Sequence, residues 1–410
     1  MTRIRTATVV GGGIAGPALA MALQKAGIEA VVHEAYEGTA EGVGGGLSIA
    51  PNGLNALALI DADEVVRAVG TPMRSIVVKS WNGKQLAEFA PPAGLPDQQL
   101  VWRSELYAAL YDEAARRGVR IEHGKRLVDA DETADGVTAR FEDGTETTAD
   151  ILVGADGLRS TTRRLIDPAA PAPRYQGLLN FGGRFTGTGL ASTGGKMAMS
   201  FGKRAFFGWQ TEDDGTCVWF VNLPRREAMT LAECRAVDKE QWRRELIEAF
   251  TDDDSPAADV IKACPVEELL IVGPMEDLPR VPVWSRGRMV LIGDSAHATS
   301  PSSGQGASLA AESAVQLARC LRDLPYDQAF AAYEGLRRAR CEKIIATAAR
   351  TNSNKAAGPV ARVVRDALMP VLMKSMAKPE KMAWQFGYRI DWDAQVEPVP
   401  ANATGAAQSA

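Results

Sequence analysis

The sequence predicts a mixed α/β fold: a nucleotide-type βαβ unit, an antiparallel sheet interleaved with it, and helices at the C-terminal end. Three observations carry this reading. A β-branched run leads into Gly11-x-Gly13-x-x-Gly16 and an alanine-rich helix. Segments with the same strand, glycine turn and helix order recur near residues 151–163 and 288–307. Between them, residues 175–223 alternate and are rich in aromatics and glycine, as an antiparallel sheet requires.

Each element has its own signal. "TATVVGGGIAGPALAMALQKAGIEAVVHEA" supplies strand, turn, helix and second strand, and so one parallel βαβ unit. Residues 36–57 are glycine-rich and then helical, from about Asn52 to Leu59. Residues 74–90 alternate as strands around an Asn82-Gly83 hairpin turn. "SELYAALYDEAARRG" is an amphipathic helix with Ser104 as its N-cap and Gly118 as its stop. Strands return over 119–153, with turns at Asp135-Gly136 and Asp143-Gly144. Helices are predicted near 238–250, over 326–350, and in pieces between 358 and 390 broken at Pro370 and Pro379. Within the long helix, "GLRRARCEK" reads as a solvated face. Trp384, Phe386 and Tyr388 alternate in a packing pattern, whereas "VEPVPANATGAAQSA" has none and reads as a disordered tail.

Composition narrows the function. A chain of 410 residues exceeds one comfortable core and suits interlocked domains. Its net charge of −5 gives no electrostatic reason to expect nucleic acid or an anionic membrane. Five cysteines without C-x-x-C spacing suggest reduced thiols, no metal site and a cytoplasmic setting. The first strand leaves no room for a signal peptide, and no apolar run reaches the roughly 18 residues that a membrane span needs. The Asn402 sequon matters only in a secreted protein and is discounted.

Chemistry is visible in three places. In the first, Gly11 allows a tight turn, Gly13 lets a pyrophosphate approach the backbone, and Gly16 lets helix and strand pack closely. The helix N-terminus adds unpaired N–H groups, and Glu34, closing the second strand, is placed to accept from ribose hydroxyls. This Rossmann-type signal points to a dinucleotide without separating FAD from NAD. The second place is "DILVGADGLRSTTRR", with Asp156-Gly157, Ser160 and Arg163. The third is "RMVLIGDSAHATSPSSGQGASLAAE", where Asp294 ends a strand and Pro301, Gly304 and Gly306 form a loop that opens another helix.

Those motifs in that order resemble the single-component FAD-dependent aromatic hydroxylases, the p-hydroxybenzoate and salicylate hydroxylase family. They are also similar to its tetracycline-inactivating and urate-oxidising relatives, over roughly residues 4–350. The resemblance implies FAD contacts at Gly11, Gly13, Ala15, Gly16 and Glu34, at Gly46 beside the flavin edge, and at Arg103 and Leu127. It adds Asp156 and Gly157, Asp294 on the ribityl side, and Pro301, Gly304, Gly306 and Ala307 along the isoalloxazine. Glu312-Ser313 departs from the Glu-Asp common in relatives. The implied cofactor domain is discontinuous, over 1–72, 100–174 and 275–325. The substrate sheet takes 73–99 and 175–274, helices take 326–392, and the tail takes 393–410.

The resemblance further implies that NADPH or NADH reduces the flavin, which then reacts with O2 to give a C4a-hydroperoxide. Oxygen transfer to an aromatic or polycyclic small molecule follows, as hydroxylation, epoxidation or Baeyer–Villiger oxidation. Substrate candidates on the aromatic sheet are Phe181, Arg184, Phe201, Phe207, Trp209, Trp219 and Phe220, with Phe207 and Trp209 sharing a face. Half or more of these equally suit the sheet core. No catalytic base is named: of the three histidines, only His297 follows a cofactor motif, and it suits a structural role. The alternatives are a flavin reductase or dehydrogenase without oxygen insertion, a flavin halogenase (W-x-W-x-I-P is missing, Trp209 being followed by Gln210-Thr211-Glu212) and a non-enzymatic flavin-binding protein. The protein is expected to be a monomer or homodimer.

Overall fold

The computed structural model describes residues 4–38, 44–355, 358, 364, 366–368 and 379–399. Among these, a six-stranded sheet runs in the order Ser285–Arg286, Met289–Leu291, Ile151–Gly154, Thr6–Val10, Glu29–His33, Arg120–Glu122. Its strands are parallel except for the edge hairpin at Ser285–Arg286. The helix Ala15–Lys25 is buried from Ala15 to Leu23, because its alanines present an apolar surface on every side. It packs between this sheet and the helix Gly306–Asp323. The chain is therefore the mixed α/β protein that the sequence predicts.

A seven-stranded sheet follows the order Leu270–Asp277, Arg174–Phe185, Cys217–Pro224, Phe206–Thr211, Lys196–Phe201, Ser75–Ser80, Gln85–Phe89. It is not wholly antiparallel as expected: Lys196–Phe201 and Ser75–Ser80 pair in parallel. These two strands enter from distant parts of the chain, so no hairpin turn forces the antiparallel arrangement. One face carries Phe181, Phe207, Trp209 and Trp219 and is covered by Trp242, Leu246 and Phe250. The other carries Met199, Phe201, Phe206 and Phe220, with Met197 and Val218 beside them. Two three-stranded sheets complete the architecture, one of them pairing Gly46–Ile49 and Thr71–Met73 with Gln98–Trp102.

Four local expectations are corrected. The helix Arg103–Arg116 begins before Ser104, with Trp102 at the N-cap and no side-chain cap bond. Pro379 opens the helix Pro379–Phe386, where its missing N–H costs nothing, while Pro370 lies outside the described residues. Residues 393–399 are not a loose tail. Val396 is buried, its N–H donates to Asp323 Oδ2 at 2.9 Å, and the Arg319 guanidinium donates to the Ala394 carbonyl at 2.8 Å. Residues 400–410 lie outside the described set. Finally, "GLRRARCEK" is not a solvated face, since Arg337 is fully buried and paired with Glu312. All five cysteines are buried and unpaired. Among the described residues no helix is long and apolar enough to cross a membrane, and no acid, histidine or cysteine cluster suits a metal.

Candidate active site

The three glycine turns meet. Gly11 has φ +105°, and a Cβ there would lie 2.4 Å from the Ala155 carbonyl oxygen, so the first turn sits directly on the second. Ala155 N–H also donates to the Val10 carbonyl at 2.8 Å. Gly293, at φ +60°, would bring a Cβ to 3.1 Å from the Ala15 methyl, which joins the third turn to the first helix. Arg163 and Ser295 stitch the second turn to the third: Arg163 Nη1 donates to the Ser295 carbonyl at 3.0 Å, and Ser295 Oγ to the Gly154 carbonyl at 2.6 Å.

Gly16 is required by the protein itself, since its Cβ would fall 2.0 Å from the Gly11 carbonyl oxygen. Gly13 is not, because its Cβ would meet nothing nearer than Tyr107 Cε2 at 3.7 Å. A glycine with no internal cause, at a helix N-terminus, is what a dinucleotide pyrophosphate needs. The residues of this turn thus fit a dinucleotide.

Glu34 lies beside this turn, its Oε2 accepting from Gly12 N–H at 2.7 Å and Tyr107 OH at 3.1 Å, and its Oε1 from Tyr36 N–H at 3.0 Å. Tyr107 is a partner the sequence did not announce. Burial, with Glu34 adding to it, raises the Tyr107 phenol well above the usual range, so it stays a donor. Asp294 opens the short helix Asp294–His297 and is exposed, although protein encloses the cleft around it. That enclosure raises its carboxyl above the ordinary range, and Arg103 opposes the shift. Arg103 N–H donates to the Gly45 carbonyl at 3.1 Å, and Gly46 packs on Trp102 and Val218.

Asp156 has a prior commitment: Oδ1 accepts from Ser160 Oγ at 2.5 Å, and Oδ2 from Thr162 N–H at 2.9 Å, at the start of the helix Thr161–Ile166. Gly157 follows at φ +75° and is half-buried. Leu127 is buried in the core opposite Phe141.

Pro301 opens a single helical turn, and Gly304 ends it in the left-handed region at φ +58°. Ser48 Oγ donates to the Gly304 carbonyl at 3.3 Å and Ala50 N–H to Ser308 Oγ at 2.9 Å, so the Gly46–Ile49 strand lies against this loop. Gly306 and Ala307 begin the helix behind it. Within that helix, Glu312 binds Arg337 Nη1 at 2.5 Å, Arg340 at 2.9 Å and Asn52 Nδ2 at 2.6 Å. Burial pushes the Glu312 carboxyl up, but the two arginines more than offset this and hold it below the usual range. Ser313 Oγ meets His297 Nε2 at 2.8 Å. His297 is buried and held at about 3 by that burial and by Arg337, which makes it a neutral structural residue.

The substrate candidates separate by face. Phe181, Phe207, Trp209 and Trp219 pack beneath Trp242, away from the glycine turns, with Phe181 and Trp242 centroids 4.9 Å apart. They are core residues. Phe201 and Phe220 lie on the opposite face. Arg184 is on that side too, 5.0 Å above the Trp102 ring and 2.7 Å from Glu105, in a cleft of about 320 Å3 that Val218 and Glu212 also line.

Converged phosphate turns beside an aromatic sheet face define a dinucleotide-dependent oxidoreductase. The FAD binding domain family matches residues 4–348, and the chain belongs to it. It is 30% identical over 356 residues to the aurachin C monooxygenase/isomerase of Stigmatella aurantiaca, covering 83% of this chain and 87% of that one. It is 31% identical over 354 residues to the 2-heptyl-3-hydroxy-4(1H)-quinolone synthase of Pseudomonas aeruginosa, covering 83% and 86%. The fold matches Klebsiella pneumoniae HpxO complexed with FAD and uric acid at a TM-score of 0.81 and 24% identity, over 93% and 97% of the two chains. The protein is an FAD-dependent monooxygenase of the aromatic-hydroxylase kind, as the sequence resemblance implied.

Proposed function

We propose that this monooxygenase inserts one oxygen atom into a bicyclic, nitrogen-bearing aromatic ring, taking its electrons from NADPH or NADH. The observation that carries the proposal is the aromatic sheet face at Phe206 and Phe220, over which Lys355 lies while its ammonium donates to Ser302 of the loop after the third turn. The relatives support the ring class, since their names concern a quinolone and uric acid. Bound flavin supplies the oxygen-activating chemistry; the protein binds, orients and dries the site.

In this reading Gly11, Gly13, Ala15 and Gly16 face the pyrophosphate, Glu34 the ribose, and Asp294 and Arg103 the ribityl region. Gly46 and the Pro301–Ala307 loop flank the ring system. Phe220 and Phe201 supply an apolar floor and Arg184 the cleft mouth. The cytoplasm and a monomer or homodimer complete the proposal; five unpaired cysteines support the reducing setting.

The test is direct. Purified protein should be yellow, and a panel of 4-hydroxyquinoline, urate and 4-hydroxybenzoate should include a ring that accelerates NAD(P)H oxidation with matching O2 consumption and an oxygenated product. Protein that stays colourless after incubation with FAD defeats the reading. Ring-stimulated NAD(P)H oxidation without oxygen uptake turns it into a reductase.

A further inference from the structure

Lys355 ends the described part of the long helix Tyr326–Lys355, which packs against the Pro301–Ser303 turn. Its Nζ donates to Asn222 Oδ1 at 2.6 Å on the seven-stranded sheet and to Ser302 Oγ at 2.8 Å in the loop after Pro301. The same ammonium lies 4.1 Å from the Phe206 ring centroid and 6.0 Å from that of Phe220. An ammonium has three N–H donors. Two are used here, and among the described residues no acceptor takes the third.

Among the described residues no carboxylate pairs with this cation, whereas the buried Arg337 has Glu312. Its surroundings are held in place rather than slack. Asn222 is braced by its own Nδ2 donating to Asn180 Oδ1 at 3.0 Å. One turn back along the helix, Asn352 Nδ2 donates to Ser300 Oγ at 2.9 Å and Gln176 Oε1 at 3.2 Å. Part of the residue still meets solvent through the cleft, but burial without a counter-charge pulls the amine down to about 7. A lone cation fixed between an aromatic face and a ligand-side loop lacks one thing, an anion.

We propose that Lys355 is the substrate-binding cation of this site: its free N–H receives an anionic oxygen of the substrate, a carboxylate or an ionised ring hydroxyl, while Phe206 and Phe220 contact the ring. This rests on the aromatic-substrate reading above and deepens it, since it makes the substrate an acidic aromatic rather than a neutral one. Asn222 and Ser302 are positioning residues, aiming the ammonium so that the bound ring is registered against the Pro301–Ala307 loop.

The experiment uses the FAD-loaded full-length protein and two matched probes, 2-naphthoate and 2-naphthamide, whose binding is read from perturbation of the flavin absorbance. Wild type should bind the carboxylate at least about tenfold more tightly than the amide, the usual worth of a charge-assisted hydrogen bond. In K355M the ratio should fall to about one, and K355R should keep a preference for the carboxylate. The flavin spectrum of each variant reports that the cleft has formed, and the wild-type ratio stands even if K355M is not recovered. A wild-type ratio near one, or a ratio that survives K355M, overturns the assignment. Failure of the parent reading looks different: a lysine-dependent ratio with no ring-stimulated oxygen uptake refutes the monooxygenase and leaves the anion site standing, and oxygen uptake with a ratio of one does the reverse.

Discussion

Exchanging single glycines of the first turn for alanine separates what the fold needs from what the cofactor needs. A methyl at position 16 would lie 2.0 Å from the Gly11 carbonyl oxygen, more than an ångström inside normal contact. The helix and the Thr6–Val10 strand must move apart to admit it. Overpacking of this kind costs about 1–3 kcal/mol or more, and Gly16→Ala should lose that much stability in the apoprotein. A methyl at position 13 meets only Tyr107 Cε2 at 3.7 Å, an ordinary contact, and the backbone there is outside the left-handed region. Gly13→Ala apoprotein should therefore match wild type or gain roughly 0.4–1 kcal/mol, because alanine narrows the unfolded ensemble. Its methyl would occupy the approach of the pyrophosphate, and the same roughly 1–3 kcal/mol then appears as a 5- to 150-fold weaker FAD affinity. Urea unfolding of the apoproteins and fluorescence titration with FAD measure the two halves independently. Gly13→Ala protein that binds FAD as wild type does would refute the placement of the pyrophosphate at this turn.

Four further outcomes are expected. Asp294→Ala should weaken FAD retention by about 1–3 kcal/mol, read from the flavin content after dialysis. Glu312→Ala leaves Arg337 buried without its counter-charge, so the urea midpoint at pH 7 should fall by an amount equivalent to about 3–5 kcal/mol. His297 sits at about 3, below its unfolded value near 6.5, so the folded state rejects a proton that the unfolded chain accepts. Its contribution is intact above pH 6.5 and is lost as the pH falls toward 3; His297→Gln should show a shallower loss of stability over that window in thermal melts. Lys355 at about 7 instead of its ordinary 10.5 penalises the native state fully below pH 7, and the penalty fades as the pH rises to 10.5. Lys355→Met should accordingly melt higher than wild type at pH 6.5, by an amount equivalent to a few kcal/mol, and converge with it near pH 10.5.

The fold class was legible because its demands are local. Gly16 is a glycine for a steric reason close by in the chain, the Gly11 carbonyl, and the all-round apolar helix Ala15–Lys25 announces its own burial. Alternation correctly paired Phe207 with Trp209, whose rings stand 5.3 Å apart, but a period of two does not say which face looks toward the cleft. That was decided by the helix bearing Trp242, which covers the aromatic side. Arg337 and Arg340 of "GLRRARCEK" read as solvated because their counter-charge, Glu312, lies on another helix. Lys355 was missed for the same reason. In sequence it is one more lysine at the end of a charged helix, and only its distant neighbours Asn222 and Ser302 make it unusual. Tyr107 gave a weaker hint, an aromatic on a helix, with nothing to tie it to Glu34 before the chain is folded.

The stitching by Arg163 and Ser295 sets an order of events during synthesis. The floor of the nucleotide cradle is Gly11 resting on Ala155, and its wall arrives only with Gly293. A nascent chain stopped anywhere before residue 293 owns the sequence fingerprint but not the cradle. With flavin held in this cradle, its uptake has to wait for residue 293, and a protease cut that releases the last third should discharge the yellow colour even when the N-terminal fragment stays folded.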